Sequence, residues 1–155
     1  MDLARNLKID SVSRLDLAPP LRVAPRQTVA EAVEQMRRER VGCVLVCEGE
    51  RLVGIFTERD LIRRVVAEGK PLGVPVAECM TPDPVTVNAK TPIGEALRRM
   101  EAGGYRHLPV VNELGRPVSV LSVKHIVHYL VEHFAATIYN QPPDPSVVPH
   151  EAEGA

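Results

Sequence analysis

Gly54-Ile55-Phe56-Thr57-Glu58-Arg59-Asp60 decides the fold, because a strand ends and a helix begins inside it. Leu52-Val53-Gly54-Ile55-Phe56 is an apolar run that stops at polar residues, the pattern of a buried strand. Leu61, Ile62, Val65 and Val66 then recur at helical spacing. Thr57 stands at the N-cap position, and Asp60 follows three residues on, in the first turn. One reading is a capping box, in which the Thr57 hydroxyl accepts from the Asp60 N–H and the carboxylate accepts from the Thr57 N–H. The other is a ligand corner. Gly54 leaves room for a flat base against the strand, and Asp60, an acceptor with several lone pairs, suits both hydroxyls of a ribose. One carboxylate has acceptor capacity for both roles.

Working outward, composition narrows the classes. The 155 residues are 45 % apolar but only 3 % aromatic, without Trp, so the core is aliphatic. A net charge of −1, from 19 Lys+Arg against 20 Asp+Glu, leaves no electrostatic footprint for nucleic acid or an acidic membrane. Met1-Asp2-Leu3-Ala4-Arg5-Asn6 lacks the apolar core of a signal peptide. No run approaches the roughly 18 apolar residues of a membrane span. Three cysteines make no disulfide framework. Cys43 and Cys47 fall on one predicted strand, about 13 Å apart, too far for a shared bond or metal. With Cys79 they read as small buried hydrophobes in a reducing cytoplasm.

The chain is a repeat. Residues 1–17 form a lead-in with a short helix near Leu3–Leu7, and Ala18-Pro19-Pro20-Leu21-Arg22-Val23 is extended because two prolines forbid helix. Thr28 and Glu31 make a capping box for a helix whose stripe is Val29, Ala32, Val33 and Met36. Cys43–Cys47 is a buried strand, and Glu48-Gly49-Glu50-Arg51 turns it into the Gly54 strand. The order is β-α-β-β-α over residues 18–68. After a linker of residues 69–79 rich in Gly and Pro, the order returns over residues 80–138. Thr81–Val87 is extended, and Thr91 is expected to cap a helix that has Pro92 at its first position. Leu108–Val111 and Val118–Leu121 form the second hairpin, and Ser122 caps the last helix. Met100 follows Met36 by 64 positions, and Ser122 follows Thr57 by 65. Repeats of about 60 residues bury little core alone, so the two are expected to pack face to face as a pseudo-twofold α+β pair with two related clefts. The last helix is long, with Ile126, Val127, Leu130, Val131 and Phe134 expected on one side, and residues 139–155 read as a flexible tail.

The chain resembles a tandem cystathionine-β-synthase (CBS) domain pair, or Bateman module. The resemblance is carried by Met80-Thr81-Pro82-Asp83-Pro84-Val85-Thr86-Val87, by Arg106-His107-Leu108-Pro109-Val110-Val111, and above all by the stretch from Gly54 to Asp60. That stretch matches the family's Gly-h-x-Thr/Ser-x-x-Asp/Asn motif, and the likeness runs from about residue 10 to about residue 135. It implies a regulatory site for an adenosine-containing ligand: AMP, ADP, ATP, S-adenosylmethionine, or in some members NAD or cyclic dinucleotides. Asp60 and Thr57 would take the ribose, with Gly54, Ile55, Met80, Thr81, Asp83, Pro84 and Val85 around ribose and base. Arg59, Arg106 and His107 would be candidates for phosphate. The second repeat departs from the motif, with Ser119 for Gly, Ser122 for Thr and His125 for the carboxylate. An imidazole cannot hold a diol as a carboxylate does. The cleft of Leu21, Ser119, Ser122 and His125 is therefore expected to be empty or altered.

The resulting expectation is a cytoplasmic, non-catalytic nucleotide sensor that requires no cofactor, dimerises through its repeat helices and signals to an unknown regulated protein. The alternative is a structural or dimerisation module with degenerate sites. A nucleotide-processing enzyme lacks a phosphate loop, a zinc set or a paired nucleophile. A nucleic-acid binder lacks the charge.

Overall fold

A computed structural model describes residues 3–140, with side-chain surroundings as far as residue 136. The elements follow the repeat. Helix α1 (Leu3–Ile9) and a 3-10 turn at Val12–Arg14 precede β1 (Arg22–Val23), α2 (Val29–Glu39), β2 (Cys43–Glu48), β3 (Arg51–Thr57) and α3 (Glu58–Asp60). Helix α3 continues as π-helix over Leu61–Val66, and a 3-10 turn lies at Val76–Glu78. The second repeat contributes β4 (Thr81–Pro82), β5 (Val87–Asn88), α4 (Ile93–Gly103), β6 (His107–Val111), β7 (Pro117–Ser122) and α5 (Val123–Asn140). The rest of the expected tail, from Gln141, lies outside the described residues.

One sheet has the order β1-β2-β3-β4 and the other β5-β6-β7. In each, the opening strand runs parallel to its neighbour and the hairpin strands are antiparallel. Strand β4 departs from the simple repeat. It leaves the second repeat's opening segment and joins the edge of the first sheet, with Gly54 opposite Pro82 and Ile55 opposite Thr81.

Alternation along β2 builds two apolar layers. Val44 and Val46 enter one core with Val29, Ala32, Met36, Phe56, Val65, Val76 and Cys79. Cys43, Leu45, Cys47 and Ile55 point the other way and pack with Leu52 and with Val120 of the second sheet, which joins the repeats. The second core holds Val12, Val87, Ile93, Ala96, Met100, Leu108, Val110, Leu121, Ile126 and Tyr129. The three cysteines are free and buried, and burial pushes the Cys43 thiol up to about 12. Among the described residues no helix is long and apolar enough to cross a membrane, and no group of three or more His, Cys, Asp or Glu side chains could hold a metal.

The expected capping box at the start of α2 is present, since Thr28 N donates to Glu31 Oε2 at 3.2 Å and Glu31 N to Thr28 Oγ1 at 3.1 Å. Thr28→Ala is expected to cost about 1 kcal/mol, read as a lower urea midpoint with an unchanged slope.

Three local expectations are corrected. Thr91 does not cap α4: Pro92, extended at φ −59° and ψ 143°, is the flanking residue, and the helix starts at Ile93. The Thr91 hydroxyl instead accepts from Asn88 N at 3.1 Å, and the free Ile93 N–H donates to the Asp10 carbonyl at 2.9 Å. The apolar stripe after Asp60 is not one buried face. Val65 is buried and Leu61 packs against the same core, whereas Ile62 and Val66, one position on, lie on the neighbouring face and are exposed. The stripe of α5 also divides. Ile126 is buried beside Tyr129, while Val127, Val131 and Phe134 stand 52 %, 59 % and 64 % exposed on a face turned from the core.

Candidate functional site

Both strand-to-helix corners are built by the same local chemistry. At the end of β3, Thr57 N and Thr57 Oγ1 donate to Asp60 Oδ2 at 3.0 and 3.1 Å, and Asp60 N donates back to Thr57 Oγ1 at 3.3 Å. The capping box therefore uses one carboxylate oxygen. The other accepts from Thr81 Oγ1 at 3.0 Å and lies 3.3 Å from Arg64 Nε. Asp60 is 7 % exposed, with every contact charge-assisted.

The Met80–Thr81 segment closes over this corner. A Cβ on Gly54 would lie 2.3 Å from Met80 Sδ and 3.0 Å from the Thr81 carbonyl oxygen, so only glycine admits the thioether there. Ile55 is buried and faces the second sheet. Beyond β4, Asp83 takes a left-handed φ of 44° and donates its N–H to the Val53 carbonyl at 3.2 Å, which turns the chain away. Pro84 is half-buried and Val85 is 38 % exposed. Arg59 spans the repeats, donating from Nη1 to the Gly104 carbonyl at 2.6 Å.

At the second corner, Ser122 N donates to His125 Nδ1 at 2.9 Å, and Ser122 Oγ lies 3.0 Å from the same nitrogen. His125 thus fills the place in the cap that Asp60 fills in the first repeat. Burial, reinforced by His128, holds its imidazole below the usual range, so it is neutral at pH 7. Ser119 lies buried on β7 opposite Val110.

An open cleft of about 910 Å³ lies between the repeats on this side. Pro19, Pro20 and Leu21 line it with Val120 and Val123, and so do Arg37, Arg40, Arg106, Lys124, His107, Ser122 and His125. The carboxylates in its wall are Glu39 and Glu58. His107 opens β6 half-buried; burial lowers its pKa, and Glu58 acts against that. Gly42 sits between them, since a Cβ there would meet His107 Nε2 at 3.3 Å and Glu58 Oε1 at 3.4 Å. Leu21, Ser122, His125, Arg106 and His107 are therefore gathered into one cleft, with Ser119 behind it on β7. Gly54, Thr57, Asp60 and the Met80–Val85 segment do not line it. Arg37, Arg40 and Lys124 were not among the expected site residues. Their signal was available in the charged face of α2 and in Lys124 beside His125.

The sequence model of the CBS domain matches residues 12–67 and again 76–132. A CBS domain-containing protein of Arabidopsis thaliana is 38 % identical over 112 residues, which is 72 % of this chain but 21 % of that one. An uncharacterised protein of Methanopyrus kandleri is 31 % identical over 132 residues, 82 % of this chain and 66 % of its own. Among solved structures, an uncharacterised conserved protein of Pyrococcus horikoshii covers 94 % of this chain and all of its own at 27 % identity and a TM-score of 0.73. A CBS domain protein of Pyrobaculum aerophilum, complexed with AMP, covers 81 % of this chain and 98 % of its own at 27 % identity and a TM-score of 0.73. The chain spans about a fifth of the length of the Arabidopsis relative.

Proposed function

The chain belongs to the CBS domain family as a tandem pair, and on that premise we propose that it binds an adenosine-containing nucleotide at the Asp60 corner and signals the occupancy by a change of shape. The observation that carries the proposal is the state of Asp60 Oδ1. A buried carboxylate oxygen is held by the hydroxyl of Thr81, a residue delivered by the other repeat's opening segment. A ribose hydroxyl replaces a threonine hydroxyl without loss of a bond, so a vicinal diol competes directly with Thr81. Met80, an adaptable side chain, occupies the face of Gly54 where a base would lie. Asp83, Pro84 and Val85 follow on the segment that must move with it. The AMP held by the Pyrobaculum relative supports an adenosine ligand.

Such an exchange requires the Met80–Thr81 segment to leave the Gly54 face and the edge of β3, so the ligand changes how the second repeat's opening segment meets the first sheet. Differential affinity for the two arrangements is what transmits the signal. Arg59, once released from the Gly104 carbonyl, would be a phosphate donor. The exposed Ile62 and Val66, with Val127, Val131 and Phe134 on α5, form the apolar faces through which two copies would associate, and a regulated protein would read the changed dimer. No catalytic step is part of this reading.

A second reading, a module that binds nothing at this corner, is favoured by the complete partnering of Asp60. Calorimetric titration with AMP, ADP, ATP and S-adenosylmethionine separates the two. The expected result is saturable binding of at least one of them, lost in Asp60→Asn. Four flat titrations would end the sensor reading.

A further inference from the structure

We propose that the open cleft beside His125 takes a nucleotide whose ribose carries a phosphate, a 2′- or 3′-phosphoadenosine, instead of the free diol assigned to the Asp60 corner. The inference rests on the reading above that the residue closing each cap faces the sugar. The two caps are built alike: Thr57 N donates to Asp60 Oδ2 at 3.0 Å, and Ser122 N donates to His125 Nδ1 at 2.9 Å. A backbone amide can only donate, so Nδ1 is the acceptor and the ring proton sits on Nε2. The residue that offers acceptors at one corner therefore offers a donor at the other. Hydroxyls of a diol seek acceptors; phosphate oxygens seek donors. The same exchange of an acid for a donor separates sites for an unphosphorylated ribose from sites for a 2′-phosphate in dinucleotide-binding folds.

The rest of the cleft agrees. Arg37 is paired with Glu34 on its own helix, which leaves Arg40, Arg106 and Lys124 as the lining cations to meet an anion. Glu58 stands at His107 and Gly42. Lys124 and His125 lie in the first turn of the 18-residue α5, where the positive end of the helix dipole adds to the field. Pro19, Pro20 and Leu21 against Val120 and Val123 give apolar walls for a base, and about 910 Å³ is ample for a nucleotide.

The test uses two pairs of ligands that differ by one phosphate, titrated calorimetrically into the full chain: NADP⁺ against NAD⁺ for the 2′ position, and adenosine 3′,5′-bisphosphate against AMP for the 3′ position. The phosphorylated member of at least one pair is expected to bind about tenfold tighter or more. His125→Asp, which recreates the first repeat's cap, is expected to reverse the preference. Lys124→Gln is expected to weaken only the phosphorylated member and guards against a folding defect in the first variant. Asp60→Asn is expected to weaken AMP, held at the first corner, and to leave the affinity of the phosphorylated member unchanged. Equal affinities within both pairs, or a preference that survives His125→Asp, would overturn the proposal. AMP binding that depends on Asp60, without any phosphate preference, would sink this inference alone. A phosphate preference set by His125, with AMP binding indifferent to Asp60, would instead remove the assignment of the diol to Asp60 and with it the premise.

Discussion

Asp60→Ala is expected to lose nucleotide binding and fold stability together. Truncation strips the acceptor from the Thr57 amide and hydroxyl, from the Thr81 hydroxyl and from the Arg64 guanidinium at a site only 7 % exposed. The guanidinium is half in water and re-solvates, so most of the cost comes from the lost cap and the stranded Thr57 amide, about 2–3 kcal/mol. Nucleotide affinity is expected to fall by a further 2–4 kcal/mol, about 30-fold to nearly 1,000-fold, because two charge-assisted bonds to the ribose disappear. The two losses are separable. Asp60→Asn keeps a carbonyl oxygen for the Thr57 amide and an amide group that can donate to Thr81 Oγ1, so its urea midpoint should stay near wild type while the affinity still drops. If His125→Ala weakens AMP as much as Asp60→Ala does, the adenosine ligand is not held by the first corner.

The legible part of this molecule is local. Thr28 with Glu31 and Thr57 with Asp60 announce their caps because the bonded groups lie three residues apart, and the hairpins follow from short turns between apolar runs. What escaped depends on distant parts of the chain meeting. Pro92 could begin a helix or flank one, and the choice fell to the Asp10 carbonyl, which supplies the acceptor for Ile93 N. Ile62 and Val66 match a helical stripe in sequence, yet only Leu61 and Val65 of that stripe pack against the core. No sequence rule says that Met80 fills the face of Gly54 while the cleft beside His125 stays open; that difference is set by β4 pairing with β3. The lead-in is an intermediate case. The 64-residue offset that matches Met36 to Met100 also places Val12 on Val76, and both are buried 3-10 residues.

Deleting residues 1–17 is therefore expected to unfold the second repeat rather than trim an end. The lead-in does for α4 what the linker does for α2. Val12 N and Ser13 N donate to the Thr91 and Ala89 carbonyls, and Ile93 N to that of Asp10, as Val29 N and Ala30 N donate to Val74 and Leu72. Val12 is 2 % exposed within the second core, with Leu7, Leu15 and Leu17 packed against that core. Tyr129 Oη donates to Asp10 Oδ2 at 2.5 Å, which holds the carboxyl below its ordinary 3.8, so this tie is complete at neutral pH and is lost as pH falls through the folded carboxyl's range. Removing one fully buried aliphatic and three half-buried ones costs about 4–6 kcal/mol, comparable with the whole stability of a small domain. Hydrogen exchange on the truncated chain should show lost protection in α4, α5 and β5–β7 while β2 and β3 stay protected. Val12→Asp, which buries a carboxylate in the same place, should reproduce that pattern in the full-length chain. An unchanged urea midpoint for the truncation would mean that α4 caps itself and that Val12 fills space without bearing stability.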